Sequence, residues 1–85
     1  MPRSVFSDAY GIFLEELVAA RREAGMTQVE LADTLGRPQP FVSYFERGER
    51  RIDVIEFVAI ARALGIDSEL LFSRVVSRLP KEISI

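Results

Sequence analysis

The stretch TQVELADTLGRPQPFVSYFERGERR, residues 27–51, opens with residues that start a helix and has a glycine where that helix should stop. Thr27 and Glu30 have the spacing of a capping box, in which each side chain bonds the other residue's free backbone N–H. Gly36 follows the last apolar residue, Leu35, and tolerates the left-handed backbone that closes many helices. The spacing therefore predicts a short helix from Thr27 to about Leu35.

A second helical pattern follows almost at once and ends at Gly48. Its apolar residues recur at helical spacing and are Phe41, Val42 and Phe45. Pro38 and Pro40 fall in its first turn, where a missing N–H breaks no intrahelical hydrogen bond. Because only about two residues separate the patterns, the two short helices are expected to cross steeply. Residues 27–48 therefore read as one pair of crossing helices.

A longer helix is predicted before this pair. Its apolar positions at helical spacing are Phe6, Tyr10, Phe13, Leu14, Leu17 and Val18. Ser7 is the candidate cap, and the helix is expected to end at Glu23 or Ala24, before Gly25.

Two more helices are predicted after the pair. Asp53 and Glu56 form a second capping box, and the helix that they start is expected to end at about Leu64. Asp67 caps a fifth helix, which Pro80 ends. The fourth and fifth helices together cover about residues 53–79, and the tail, residues 80–85, is left unassigned. The fold class is therefore all-α, with residues 1–85 as a single five-helix domain.

The amino-acid composition argues against several classes of function. The chain has 85 residues, no cysteine and no histidine, so it lacks the commonest general base and the commonest metal ligands. We expect no metal site, no cofactor and no enzymatic activity. The longest apolar stretch, around Val54 to Leu64, is broken by Glu56 and Arg62 and is too short to span a bilayer. The simplest expectation is a cytoplasmic, nucleoid-associated protein.

The net charge of −2 hides an asymmetry along the chain. Residues 37–51 contain four arginines and two glutamates, whereas the rest of the chain has seven basic and eleven acidic residues. An acidic total does not argue against nucleic-acid binding when the cations lie on one face, because phosphates are neutralised locally. The alternative is a solvated loop that happens to be rich in arginine.

The sequence resembles the phage-repressor-like, or lambda-repressor-type, helix-turn-helix DNA-binding family of small transcriptional regulators. The resemblance covers Phe13 to about Leu71. It rests on the pattern R.EAGMTQ.ELA..LG, residues 21–36, and on S..ERG, residues 43–48. In this family, Arg21 typically pairs with the acidic residue that matches Glu46 and ties the third helix to the first. The residues expected to build the motif without touching DNA are Leu31, Ala32, Leu35, Gly36, Val42 and Phe45.

The resemblance implies that the third helix lies in the major groove of double-stranded DNA. The positions that match the family's base-reading residues begin at Pro38 and include Gln39, Pro40, Ser43, Tyr44 and Arg47. Gln39 is the best candidate, because its amide can form two hydrogen bonds with adenine. Pro40 offers only van der Waals contact. For Tyr44, a half-buried place in the core is an alternative of nearly equal weight. The residues expected at the DNA backbone are Gln28, which can also brace Gln39, and Arg37, Arg50 and Arg51.

A homodimer is expected because one such helix reads too few base pairs to find a single site. The fourth helix is apolar nearly all round, which is more than one core-facing stripe needs. In the fifth helix, Leu70 and Leu71 are expected to face the core. A second, exposed stripe is then predicted to form the dimer interface and consists of Phe72, Val75, Val76 and Leu79. The alternative is that Phe6, Tyr10 or the tail covers this stripe.

These inferences point to a sequence-specific transcriptional regulator, a repressor or autoregulator that binds an inverted-repeat operator as a homodimer. One alternative is an antitoxin or adaptor whose C-terminal helix binds another protein and whose DNA binding serves autoregulation. Another is the controller protein of a restriction–modification system. No membrane association is expected in any of these cases.

Overall fold

The computed structural model describes residues 8–84 and contains five helices in that part of the chain. Their bounds are α1 Asp8–Glu23, α2 Gln28–Leu35, α3 Gln39–Glu46, α4 Val54–Ala63 and α5 Ser68–Arg78. No strand occurs among these residues. The all-α, five-helix prediction is therefore confirmed. The predicted cap Ser7 and the apolar residue Phe6 lie outside the described residues.

The capping signals in the sequence define the starts of α2 and α4. The Thr27 hydroxyl accepts from the backbone N–H of Glu30, and the Glu30 carboxylate accepts from the N–H of Thr27. Asp53 and Glu56 make the same reciprocal pair of bonds at the start of α4. Each box satisfies two backbone donors that would otherwise lack a partner at a helix N-terminus.

The turn between α2 and α3 also follows the sequence prediction. Gly36 ends α2 with φ of 70°, the left-handed region. Pro38 occupies the N-cap of α3, and Pro40 lies in the first turn, where neither residue costs an intrahelical hydrogen bond. The short connection packs α2 across α3 and brings their first residues close together.

The core fills the space between these two helices and the other three. Its most completely buried large side chains are Leu17, Leu31, Val42, Phe45, Ile60 and Leu71. Ala32 is also buried, and its small side chain lets α3 approach α2 closely. Removing a side chain such as Phe45 from water stabilises the fold by about 1.5–3 kcal/mol.

The orientation of α5 differs from the expectation. Val75 is 3% exposed and faces the core, so its predicted place on the exposed stripe is wrong. Leu70 was expected to face the core, yet it is exposed. The reason is the helical repeat: Leu71 is fully buried, and the residue four positions later lies on the same face. The outward apolar side chains of α5 are therefore Phe72 and Val76, with Leu79 half-buried at the C-cap.

Ion pairs join α5 to α1. Arg74 contacts Glu16 at 3.3 Å and Glu23 at 3.2 Å. Arg78 contacts Glu15 at 2.7 Å and Glu16 at 2.9 Å. These pairs place three carboxylates of α1 against arginines of α5. Across residues 8–84, no helix has the length and apolar character required to cross a membrane.

Candidate nucleic-acid interface

The side chains predicted to read bases share one face of α3 and the turn after it. They are Gln39, Pro40, Ser43, Tyr44 and Arg47, whose spacing of one, three, one and three residues follows the helical repeat. Val42 and Phe45 lie on the other face, in the core. The structure therefore brings the five predicted side chains together and leaves them accessible from solvent to different degrees.

Tyr44 belongs to the accessible part of this face. It is 46% exposed, which does not support the alternative of a half-buried core tyrosine. The guanidinium of Arg47 lies over its ring, 5.3 Å from the centroid. The tyrosine ring and the arginine thus lie against each other at the C-terminal end of α3.

The predicted tie between α1 and α3 is present. Arg21 Nε donates to Glu46 Oε2 at 2.7 Å, and Arg21 Nη2 donates to Glu46 Oε1 at 3.1 Å. The third guanidinium nitrogen, Nη1, donates to the carbonyl of Met26 at 2.9 Å. Both charged side chains are nearly buried, 11% and 7% exposed. Such a two-point pair fixes the orientation of both groups as well as their separation.

Two glutamines extend this tie to the start of α3. Gln28 Nε2 donates to Glu46 Oε1 at 2.9 Å, and Gln39 Nε2 donates to Gln28 Oε1 at 3.2 Å. The predicted bracing of Gln39 by Gln28 is therefore observed. Both residues are half-buried, so hydrogen bonds hold the two amides while Gln39 keeps part of its surface in solvent.

Two of the arginines expected at the DNA backbone lie over the same aromatic ring. The guanidinium carbons of Arg37 and Arg50 are 4.7 and 4.9 Å from the centroid of Phe41. Arg50 also donates to both carboxylate oxygens of Glu56, at 3.0 and 2.8 Å, and to the carbonyl of Arg51. Two arginine side chains therefore contact the Phe41 ring, and one of them, Arg50, also pairs with Glu56 of α4.

The two remaining arginines make different contacts. Arg51 lies over the ring of Tyr10, 4.1 Å from its centroid, and the Tyr10 hydroxyl accepts from the backbone N–H of Ile52. Arg47 donates from Nε and Nη2 to the carboxylate of Glu49 at 3.0 and 3.1 Å. One arginine therefore precedes α3 and three follow it, and each contacts a neighbouring side chain.

The ion pairs shift the pKa values of the carboxylates that hold these arginines. The hydrogen bond from Arg47 is the main cause that lowers the pKa of Glu49, and the same bond raises the pKa of Arg47. The pKa of Glu56 is lowered first by the hydrogen bond from Arg50 and then by the backbone N–H of Asp53. Both carboxylates are therefore charged at neutral pH, and each offsets one arginine charge.

Glu49, Glu56 and Phe41 were not singled out as parts of this surface from the sequence. Glu56 was assigned only as a helix cap, and Phe41 only as an apolar helical residue. The contact of Glu49 with Arg47 could have been predicted, because a separation of two residues in a turn permits an ion pair. Across residues 8–84, no group of three Asp, Glu, Cys or His side chains is placed to hold a metal ion.

Residues 17–71 match a protein family described as helix-turn-helix. A protein named uncharacterized HTH-type transcriptional regulator y4dJ, from Sinorhizobium fredii, is 44% identical over 46 residues. That match includes 54% of this chain and 60% of the relative, so the chain spans less than two thirds of the relative's length.

Solved structures resemble the fold over most of the chain. An XRE-family like protein from Pseudomonas syringae pv. tomato is 48% identical, with a TM-score of 0.80, and the match covers 86% of this chain and 89% of that one. The restriction–modification controller protein C.Esp1396I superposes with a TM-score of 0.79 and is 22% identical, over 92% of this chain and 100% of that one. At that lower identity the likeness shows the fold alone.

Proposed function

The chain belongs to the helix-turn-helix family that matches residues 17–71, and from this premise we propose that it is a sequence-specific transcriptional regulator that binds double-stranded DNA. The helix α3 enters the major groove with its N-terminal half at the base edges. The motif, residues 27–48, reads the DNA, and the helices within residues 53–79 complete the core and join two copies.

One observation carries this proposal: Gln39 is held at the start of α3 by an uninterrupted series of hydrogen bonds from Arg21 through Glu46 and Gln28. A free surface glutamine would lose side-chain entropy on binding a base. A braced glutamine has lost part of that entropy already. Its amide can then bond adenine N7 and N6 together, a contact that discriminates between bases by about 1–3 kcal/mol.

The surrounding side chains supply contacts of two further kinds. Pro40, Ser43, Tyr44 and Arg47 lie beside Gln39 on the same face and reach neighbouring bases. Gln28, Arg37, Arg50 and Arg51 contact phosphates, which fixes the position of the protein without reading sequence. Because phosphate contacts release counterions, the affinity is expected to fall steeply as salt concentration rises.

Selection of duplexes from a random pool at near-physiological salt tests the proposal. We expect enrichment of one sequence, and we expect Gln39→Ala to reduce the ratio of operator binding to random-DNA binding. Ser73→Ala, an exposed change on α5, is the matched control and should leave that ratio unchanged. If Gln39→Ala loses affinity equally for operator and random duplexes, Gln39 does not read a base. Binding without enrichment of any sequence would mean that the protein contacts only phosphates.

We also propose that the regulator acts as a homodimer on an inverted repeat. Apolar side chains cluster outside the core, at the start of α4 and along α5, and are Val54, Ile55, Phe72 and Val76. Val54 and Ile55 are 75% and 76% exposed. Val54 and Phe72 also line a groove of about 460 Å³, whose other apolar side chains include Phe13 and Phe57.

An exposed apolar surface of this kind marks a partner site, and a second copy of this chain is the occupant that DNA reading requires. Two-fold symmetry would place two α3 helices about 34 Å apart, one turn of the duplex. Enrichment of an inverted repeat supports the homodimer. Enrichment of a single half-site would favour another protein as the occupant of the groove.

The regulator is proposed to repress or autoregulate by covering a promoter. A reporter gene placed behind the selected operator should be expressed less when the protein is present. Higher expression would identify an activator. Unchanged expression with intact DNA binding would favour the adaptor, whose effect depends on a further protein.

A further inference from the structure

The guanidinium of Arg47 uses only part of its hydrogen-bonding capacity within the protein. Nε donates to Glu49 Oε2 at 3.0 Å, and Nη2 donates to Glu49 Oε1 at 3.1 Å. These two donors form one side of a planar group that carries five N–H donors in all. Among residues 8–84, no acceptor is paired with Nη1 or with the second N–H of Nη2. The ion pair therefore leaves free the outer end of the guanidinium, where two N–H groups point the same way.

Two different contacts restrain the orientation of this guanidinium. The two-point pair with Glu49 sets the direction of the group within its own plane. The Tyr44 ring, whose centroid lies 5.3 Å from the guanidinium carbon, restricts the tilt of that plane. Arg47 and Glu49 are both more than half exposed, so their pairing adds little to the stability of the fold. Its main effect is on what Arg47 can bind.

The pair also changes the charge that Arg47 presents to DNA. The hydrogen bond from Arg47 lowers the pKa of Glu49, so the carboxylate is charged at neutral pH and offsets the charge of the arginine. A neutral pair is attracted to phosphates much less than a free arginine is, because phosphate binding depends on the positive charge that is brought to the DNA. The two free N–H groups keep their ability to donate to a neutral acceptor.

Guanine has the base edge that fits two parallel donors. In the major groove its O6 and N7 both accept hydrogen bonds and lie side by side. Adenine has one acceptor and one amino donor there, so one N–H of a fixed guanidinium would face another donor. An arginine that is held with its outer end toward the bases therefore discriminates between the two purines. A mobile arginine can leave the base for a nearby phosphate.

We propose that Glu49 positions Arg47 to read a guanine and at the same time weakens the attraction of Arg47 to phosphates. Glu49 is then a positioning residue that raises base specificity and lowers affinity for DNA in general. Gln39 and Arg47 are eight residues apart, about 12 Å along a helix axis, so the guanine is expected within about four base pairs of the position that Gln39 reads. This inference rests on the proposed function, since it concerns how Arg47 reads DNA that the protein binds.

The test uses the operator selected from a random pool, in which Arg47→Ala identifies the base pair that Arg47 reads. Affinities are then measured for two duplexes that differ only there, G·C against A·T. Wild type should prefer G·C by roughly tenfold. Glu49→Gln should bind both duplexes more tightly and gain more on A·T, so that the preference falls to about threefold or less. The reason is that the glutamine oxygen can accept from one guanidinium donor while its NH2 group faces the other.

Two further variants complete the comparison. Glu82→Gln removes the same charge at an exposed position in the tail and should keep the full preference for G·C. Arg47→Lys keeps the positive charge but lacks the two parallel donors, so it should lose the preference. Glu49 is exposed, and its replacement is therefore expected to leave the fold intact.

Failure of the proposed function and failure of this inference give different results. If the wild-type protein enriches no sequence, the proposed sequence-specific function fails. If it selects an operator and Arg47→Ala changes no base preference, the function stands and Arg47 does not read a guanine. If Glu49→Gln strengthens binding to the G·C and A·T duplexes by the same factor, Glu49 affects DNA binding through its charge alone, and its positioning role is overturned.

Discussion

Arg47 and Glu49 form a two-point ion pair beyond the C-terminus of α3, with Nε–Oε2 and Nη2–Oε1 distances of 3.0 and 3.1 Å. Both side chains are more than half exposed. The carboxylate thus occupies two of the donors with which Arg47 would contact a base or a phosphate. Glu49 also adds negative charge beside the proposed DNA path.

Replacing Glu49 with glutamine is expected to strengthen DNA binding. The change removes a charge that phosphates repel, and it frees Arg47 from an ion pair that is worth little because both groups are solvated. We expect affinity to rise by roughly twofold to fivefold at low salt, with a smaller gain as salt screens the charge. Titration of labelled operator at several salt concentrations measures this.

Glu82→Gln is the matched control, since it changes the net charge equally at an exposed position in the tail. It should raise affinity much less than Glu49→Gln. An equal gain in both variants would show that net charge, rather than release of Arg47, is responsible.

Phe41 is expected to support DNA binding without reading sequence. Arg37 and Arg50 both lie over its ring, within 5 Å of the centroid, and each such contact contributes about 0.5–1 kcal/mol. Phe41→Leu keeps an apolar side chain but removes the aromatic face. We expect about 1–2 kcal/mol of lost stability and a uniform loss of affinity of roughly threefold, because the two arginines that are proposed to contact phosphates lose their support.

Phe41→Tyr retains the ring face and should bind DNA nearly as wild type does. The two variants are compared on operator and random duplexes, with thermal unfolding measured alongside. A selective loss on the operator in Phe41→Leu would contradict this account, because it would make Phe41 part of sequence reading.

The fold could be read from the sequence where short-range chemistry decides it. Both capping boxes and the glycine after Leu35 act through residues three or four positions apart, so their pattern is legible without a structure. The family pattern likewise placed Arg21 against Glu46, a contact across 25 residues that local spacing alone does not reveal.

Two features could not be predicted from local sequence: which face of α5 is buried, and which side chains meet across the turn after α3. In α5, a run of apolar residues from Leu70 to Phe72 left the buried face ambiguous, and the packing against α1 and α4 selected Leu71 and Val75. The placement of two arginines over Phe41 depends on the path of the turn after α3, which no local pattern encodes. Roles at DNA bases remain predictions.

Two adjacent valines distinguish core packing from self-association. Val75 is 3% exposed, whereas Val76 is 48% exposed. Val75→Ala removes two buried methyl groups and should destabilise the domain by about 1.5–3 kcal/mol. Val76→Ser should change the stability of the monomer by no more than about 0.5 kcal/mol and should weaken the homodimer instead.

Sedimentation over a range of concentrations, together with denaturant unfolding, checks both parts. For Val76→Ser we expect the monomer–dimer midpoint to move to higher protein concentration. If wild type remains monomeric at every concentration, alone and on an inverted repeat, the proposed homodimer is wrong. If Val75→Ala unfolds like wild type, its assignment to the core is wrong.

Glu56 should make stability depend on pH in the acid range. Its pKa lies below the ordinary value of 4.5, chiefly because Arg50 donates to the carboxylate and secondly because the backbone N–H of Asp53 does so. The folded chain therefore binds this proton less readily than the unfolded chain. The resulting stabilisation is fully present above about pH 4.5 and is lost as the pH falls through the lower, folded-state value.

Glu56→Gln isolates this contribution, because glutamine can still accept from the Asp53 N–H in a capping box but cannot pair with Arg50 as an ion. At neutral pH we expect the thermal midpoint to fall by roughly 2–8 °C, the effect of about 0.5–1 kcal/mol from a partly exposed pair in a domain of this size. The difference from wild type should shrink as the pH is lowered below 4.5. A difference that stays constant down to acid unfolding would mean that the charge of Glu56 is not what stabilises the start of α4.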